Sequence, residues 1–126
     1  MSAMPVTAAD FNLQGRIENY RERLTELLSM LDQLVREQME AANREKLGGN
    51  GVISYEPKPP RWTLAWTGEG RRYEVNLMAF AQGGAWVIHG RMGLDRPFRN
   101  QASATGRDIL ELRREIDDQI TTDRMR

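Results

Sequence analysis

His89 is the one histidine in the sequence and the side chain best suited to proton transfer near neutral pH. In a predicted antiparallel strand pair, the neighbouring strand supplies Glu74, a carboxylate that could orient the imidazole of a general base. No second histidine and no serine in a nucleophile-elbow motif accompany this pair. We therefore predict that the protein is not an enzyme and has no catalytic residues, with His89 as a polar residue on an exposed sheet face.

Metal and cofactor chemistry has little support in the sequence. The chain contains no cysteine, which excludes disulfides, thiol nucleophiles and thiolate metal ligands. The carboxylates Asp117, Asp118 and Asp123 lack the spacing of a calcium loop. The glycine pairs Gly48–Gly49 and Gly83–Gly84 match no phosphate-binding fingerprint and read as turns. The sequence predicts neither a metal site nor a cofactor.

Arginines interleaved with tryptophans suggest a second chemistry, the binding of nucleic acid. Residues 52–104 carry seven basic and four acidic residues, a net charge of +3 within a chain of net charge zero. Arg61, Arg71 and Arg72 could contact phosphates while aromatic rings stack on bases. Strand alternation, however, places Trp62 and Trp66 on the face that a small domain must bury. Nucleic-acid binding is therefore kept as the alternative function.

A further contact patch is predicted at Arg96, Phe98 and Arg99. These residues lie in a segment from Gly93 to Gly106 that is rich in loop signals, including Pro97. An apolar side chain flanked by arginines in an exposed loop is suited to contact with a protein or nucleic acid.

The clearest pattern is a heptad repeat near the start of the chain. Apolar or core-compatible residues recur at alternating spacings of four and three from Leu13 to Leu34, as in a coiled-coil seam. Leu28, Met30 and Val35 widen the stripe in its second half. The predicted oligomer interface comprises Leu13, Ile17, Tyr20, Leu24, Leu27, Leu28, Leu31, Leu34 and Val35.

This stripe predicts a helix from about residue 8 to residue 47, which ends at the glycine run after Leu47. Such a helix is about 60 Å long at 1.5 Å per residue, too long to be covered by a body of about 75 residues. We expect a partner on the seam, either a second copy of the chain in a dimer or higher oligomer, or another helical protein. The widened part of the stripe could instead receive the C-terminal helix.

After residue 51 the apolar period changes to two, which is typical of strands. The strands begin near Val52, Arg61, Arg71 and Ala85, with glycine-containing turns between the last three, and form a three- or four-stranded antiparallel meander. An amphipathic helix of about 16 residues follows through Ile120, and the polar tail from Thr121 is expected to be loose. The predicted fold class is α+β, with a coiled-coil segment at 1–51 and a β-meander plus packed C-terminal helix at 52–126.

Composition fits this architecture. The apolar share of 40% and the charged share of 29% are typical of a globular chain, and no apolar run approaches the length of a membrane span. The first ten residues lack the pattern of a signal peptide, so a cytoplasmic location without membrane contact is expected. The sequence thus predicts a non-enzymatic oligomeric scaffold or adaptor.

Overall fold

The computed structural model describes residues 8–99 and 106–125, with side-chain environments from residue 15 onward. Its first element is the long helix α1, Ala8–Leu47, with the bounds that the sequence predicts. Gly48 and Gly49, with φ angles of 59° and 84°, end the helix in the left-handed region that favours glycine. The Asn43 side chain then holds the backbone of Gly51 from both sides, accepting from its N–H at 2.7 Å and donating to its carbonyl oxygen at 3.1 Å.

Five antiparallel strands follow α1 in the order in which they occur along the chain. They are β1 (Val52–Pro57), β2 (Pro60–Gly68), β3 (Arg71–Gln82), β4 (Ala85–Gly90) and β5 (Asp95–Phe98). The predicted meander is confirmed, but the predicted count of three or four strands was too low. The missed strand β5 lies within the predicted loop, where Pro97 argued against a strand. Because β5 is an edge strand, the N–H that proline lacks is not needed for pairing.

One face of the sheet carries the hydrophobic core. Trp62, Leu64 and Trp66 of β2 lie opposite Leu77, Val75 and Tyr73 of β3, so the alternation read from the sequence places all six on one inner face. Trp62 and Leu64 are fully buried, as are Val75 and Leu77. Ile88 of β4 and Phe98 of β5 extend this buried surface.

The last element, α2 (Gly106–Arg124), packs against α1 and β3. Its apolar stripe of Leu112, Ile116 and Ile120 is buried in the core, as the sequence predicts. The expectation of a loose tail from Thr121 was wrong, because the helix continues to Arg124 and buries Asp123. Residues 100–105, which complete the predicted loop, and Arg126 of the tail lie outside the described residues. Among the described helices, none has the length and apolar character needed to cross a membrane.

Polar contacts join the last turns of α1 to α2. Arg113 donates to the Glu45 carboxylate at 2.6 Å and to its neighbour Asp117 at 3.1 Å. Arg124 donates to the carbonyl oxygen of Lys46, an acceptor in the last turn of α1, at 2.6 Å. These contacts hold the C-terminal end of α1 against α2.

Candidate interaction surfaces

The C-terminal part of α1, residues 24–47, is called here the docked half. It buries its apolar stripe on the sheet and on α2 of the same chain. Leu27, Leu31 and Val35 are at most 7% exposed, and the stripe continues to Met39 and Ala42, which are fully buried. Leu28 and Leu34 are partly buried against the same core. The structure thus places five residues of the predicted oligomer interface in contacts within the chain, and these contacts account for their burial.

The N-terminal part of α1, residues 8–23, is called the arm. It carries the same stripe past the end of the sheet. Ile17 and Tyr20 are 45% and 46% exposed, whereas Leu24 is half-buried. Leu13 belongs to the stripe by sequence, and its side chain lies outside the described residues. The arm therefore presents large apolar side chains at helical spacing that the described body covers only in part.

The boundary between arm and docked half is set by the β3–β4 hairpin. The Trp86 indole N–H donates to the carbonyl oxygen of Leu24 at 2.7 Å, which ties the sheet to the middle of α1. Slightly farther out, the Tyr20 ring lies over the turn, where a Cβ added at Gly84 would be 3.8 Å from Tyr20 Cε2. The hairpin therefore meets α1 at Tyr20 and Leu24, where the arm and the docked half join.

Basic and acidic side chains lie on different faces of the helix along the arm. Arg16, Arg21 and Arg23 are exposed and flank the stripe, since each lies three or four positions from Ile17 or Tyr20. The acidic residues Glu18, Glu22 and Glu26 recur at a spacing of four on the opposite side of the helix. Within the described side chains, none of these three arginines forms an ion pair. The apolar stripe of the arm therefore has a positively charged rim.

The predicted contact patch at Arg96, Phe98 and Arg99 is built into the body to a large extent. Phe98 is 5% exposed and belongs to the core. Arg96 pairs with Asp108 at 3.2 Å and also with Glu111, both on α2. Arg99 is exposed at the end of β5. Arg96 and Phe98 therefore attach β5 to the rest of the protein, and a partner-binding role for the patch stays a prediction.

The arginines predicted to contact phosphate have acidic neighbours. Arg61 pairs with Glu56 at 2.8 Å, and Arg72 lies 3.8 Å from Glu74. Arg71 is exposed beside the β2–β3 turn. Two of the three arginines thus lie beside carboxylates that are already included in the net charge of +3. Nucleic-acid binding stays a prediction, and no observation in the described residues favours it over the arm.

His89 and Glu74 are not adjacent in the sheet. His89 lies opposite Met78, which is four residues along β3 from Glu74, or about 13 Å at the rise of a strand. The imidazole is exposed and contacts the edge of the Phe80 ring, with ring centroids 6.5 Å apart. The register thus separates the residues that a His89–Glu74 base would require. In the described part of the chain, no three His, Asp or Glu side chains cluster as metal ligands.

Sequence reasoning missed a buried polar column on α2, formed by Glu115, Gln119 and Asp123. Strand β4 pairs with β3 only from Leu77 onward, so the preceding residues of β3 lack a strand partner on that side. Gln119 replaces it, accepting from the Asn76 N–H at 3.0 Å and donating to the Asn76 carbonyl oxygen at 3.1 Å.

The other two members of the column bind other backbone groups, Asp123 on β3 and Glu115 in the connection between β4 and β5. Asp123 accepts from the Glu74 N–H at 3.3 Å and from Arg91 at 2.6 Å. Glu115 accepts from the N–H groups of Met92 and Leu94 at 3.0 and 3.1 Å. The Glu115 side chain also occupies the space into which a side chain at Gly90 would extend.

A signal for this column was present in the sequence. Glu115, Gln119 and Asp123 lie three residues after Leu112, Ile116 and Ile120, which places them on the face that the apolar stripe buries.

A second buried polar contact lies between β2 and the docked half. Trp62 is fully buried, and its indole N–H donates to Asp32 Oδ1 at 2.7 Å, which satisfies the donor. Arg36 donates to the same oxygen at 2.7 Å, and its guanidinium lies 5.7 Å from the centre of the Tyr55 ring. Burial, followed by the charge of Asp32, raises the pKa of Tyr55 above its ordinary value, while Arg36 opposes the rise.

No protein-family model, no curated protein and no solved structure matches the chain.

Proposed function

We propose that the protein is a non-enzymatic adaptor that acts through protein–protein interaction, with the arm of α1 as its docking element. The observation that supports this proposal is the exposure of Ile17 and Tyr20 on a stripe whose continuation is buried. Large apolar side chains exposed together at helical spacing are typical of a face that receives another helix.

The geometry of α1 suits this role. The arm has 16 residues and is about 24 Å long at 1.5 Å per residue. Isolated helices of about 12–15 residues are marginal in water. Because the docked half is held by the body, the arm grows from a preformed helix and avoids the cost of nucleation. Such an arm loses less conformational entropy when it binds a partner than a disordered segment does.

The partner of the arm is a helix, from either a second copy of the chain or a different protein. In both cases Ile17 and Tyr20 pack into the apolar face of the partner helix. In this proposal the β body holds α1 in place, and the arm binds the partner.

The test compares the full chain with the double variant Ile17→Ser/Tyr20→Ser. Absolute mass is measured by sedimentation over a range of concentrations, and proteins bound to each form are captured from lysate of the source cells. We expect the double variant to lose either self-association or specific captured proteins while it keeps the unfolding midpoint of the wild type. Asp118→Ala, an exposed substitution on α2, is the matched control. Identical mass and identical captured proteins for wild type and double variant would contradict the proposal.

A further inference from the structure

The charges on the rim of the arm bear on which helix can bind there. With Ile17 and Leu24 at position a of the heptad and Tyr20 at d, Arg16 and Arg23 lie at g and Arg21 lies at e. Positions e and g are the ones whose charges select the partner and its orientation in a coiled coil. All three arginines have exposed side chains, and none is ion-paired within the part of the chain that the structure describes.

A second copy of the chain would bring like charges together on this rim. In a parallel pair, residue g of one helix faces residue e five positions later on the other, so Arg16 would face the partner's Arg21 on both sides of the seam. In an antiparallel pair, g faces g, and Arg16 and Arg23 would again meet arginines. Among the described side chains of the arm, the acidic ones that could relieve this repulsion are Glu18 and Glu22, and they lie on the far side of the helix.

We infer that the arm binds a different protein: an amphipathic helix whose apolar stripe is flanked by aspartate or glutamate. Such a helix places carboxylates opposite Arg16, Arg21 and Arg23 while its apolar residues cover Ile17 and Tyr20. Arginine pairs with carboxylates through two parallel hydrogen bonds, which adds orientation to the attraction. The like-charged rim also keeps copies of the protein apart and so leaves the arm free for this partner.

This inference rests on the proposed docking role of the arm and deepens it by defining the partner. It differs from the expectation of self-association, because it assigns the rim charges an active role in rejecting a second copy.

The experiment uses a charge-reversed full chain, Arg16→Glu/Arg21→Glu/Arg23→Glu, as the probe for an acid-flanked helix. The helix propensities of arginine and glutamate are similar, and the three side chains are exposed, so the fold should persist. Sedimentation equilibrium is measured for wild type alone, for the probe alone and for their equimolar mixture at low ionic strength. The mixture should associate about tenfold more tightly than either protein alone, since like-charge contacts become ion pairs. Salt of about 1 M should weaken the association, because the Debye length falls to about 3 Å.

A matched control distinguishes the effect of the charged rim from that of the apolar stripe. The probe with Ile17→Ser/Tyr20→Ser added has the same net charge but lacks the apolar stripe, and it should not associate with the wild type. If this control associates with the wild type as tightly as the probe does, the attraction is due to charge alone. That outcome would overturn both the inference and the docking role of the stripe.

Two other outcomes overturn the inference by itself. Tight self-association of the wild type that Ile17→Ser/Tyr20→Ser abolishes would keep the docking role and make a second copy the partner. A mixture that associates no more tightly than its components would show that the rim does not select acidic flanks, and the capture experiment would then decide the docking role separately.

Discussion

The two helices lie on the same sheet but are attached to it differently. The docked half of α1 contributes a nearly uninterrupted apolar stripe from Leu27 to Ala42, with the sheet reaching its backbone at Leu24 through the Trp86 indole. On α2, the apolar residues alternate with the polar column Glu115–Gln119–Asp123, whose members bind backbone groups of β3 and of the β4–β5 connection.

This difference shows what each kind of contact specifies. Apolar burial is not directional, so it fixes which face of α1 meets the sheet, and the position of α1 along its axis depends on separate polar contacts such as those of Trp62 with Asp32 and of Trp86 with Leu24. Hydrogen bonds to backbone groups have defined lengths and angles, so the column on α2 sets the position of that helix to within one residue. Both helices are therefore fixed along their axes, α1 by separate polar contacts beside a mainly apolar stripe and α2 by a continuous polar column.

The largest effect is expected from a test within α1 itself. Met39→Ala removes a fully buried side chain of the docked half and should lower the free energy of unfolding by about 2–5 kcal/mol. Ile17→Ala, on the same stripe in the arm, should change it by less than about 0.5 kcal/mol. Urea denaturation of both variants measures the two values. Equal losses would mean that the arm is as well packed as the docked half, contrary to the comparison.

A smaller effect is expected when the directional contacts of α2 are removed. Gln119→Leu keeps a side chain of similar volume but leaves the N–H and carbonyl oxygen of Asn76 without their partner, at a cost of about 1–3 kcal/mol. Hydrogen exchange at Asn76 should also become faster. Asp118→Ala on the same turn, which is exposed, is the control and should be near neutral. Unchanged stability in Gln119→Leu would mean that the column does not hold α2.

The smallest effect concerns pH and the polar contact on α1 at Asp32. The pKa of Tyr55 is raised by burial and by the Asp32 carboxylate. The unfolded chain therefore releases this proton first, and the corresponding stability, present below the ordinary tyrosine pKa of about 10, is lost as the pH rises through the folded value. Asp32→Asn should shift the tyrosinate absorbance change of the folded protein to lower pH, with Tyr55→Phe identifying the signal. A shift in the opposite direction would contradict the assigned role of Asp32.

The sequence was sufficient for local structure, because local structure follows from apolar period and turn residues. It predicted α1 at its observed bounds, the first four strands and the inner-face positions of Trp62 and Leu64. It left open whether the stripe of α1 meets another chain or the C-terminal helix of the same chain, because a heptad rhythm has the same spacing in both cases. The strand β5 was missed because Pro97 argues against a strand until its edge position is known.

The polar column was missed for a different reason. Apolar spacing predicts the buried face of α2, and by that criterion its polar residues are expected to face solvent. The contact between Gln119 and Asn76 could not be predicted without knowing that the pairing of β4 with β3 ends at Leu77. The length of a strand pairing is not encoded by any local sequence pattern. The rim charges of the arm, by contrast, were readable from the sequence once the face of α1 was fixed.

The column on α2 has a consequence for synthesis of the protein. Ribosomes release the sheet before α2, so residues 73–76 of β3 have unbonded backbone groups on one side until residues 115–123 have emerged. An unbonded strand segment is a template for pairing with strands of other chains. Several nascent chains lie close together on one messenger RNA. Pairing between their strands is therefore most favoured after β5 has been completed and before α2 docks.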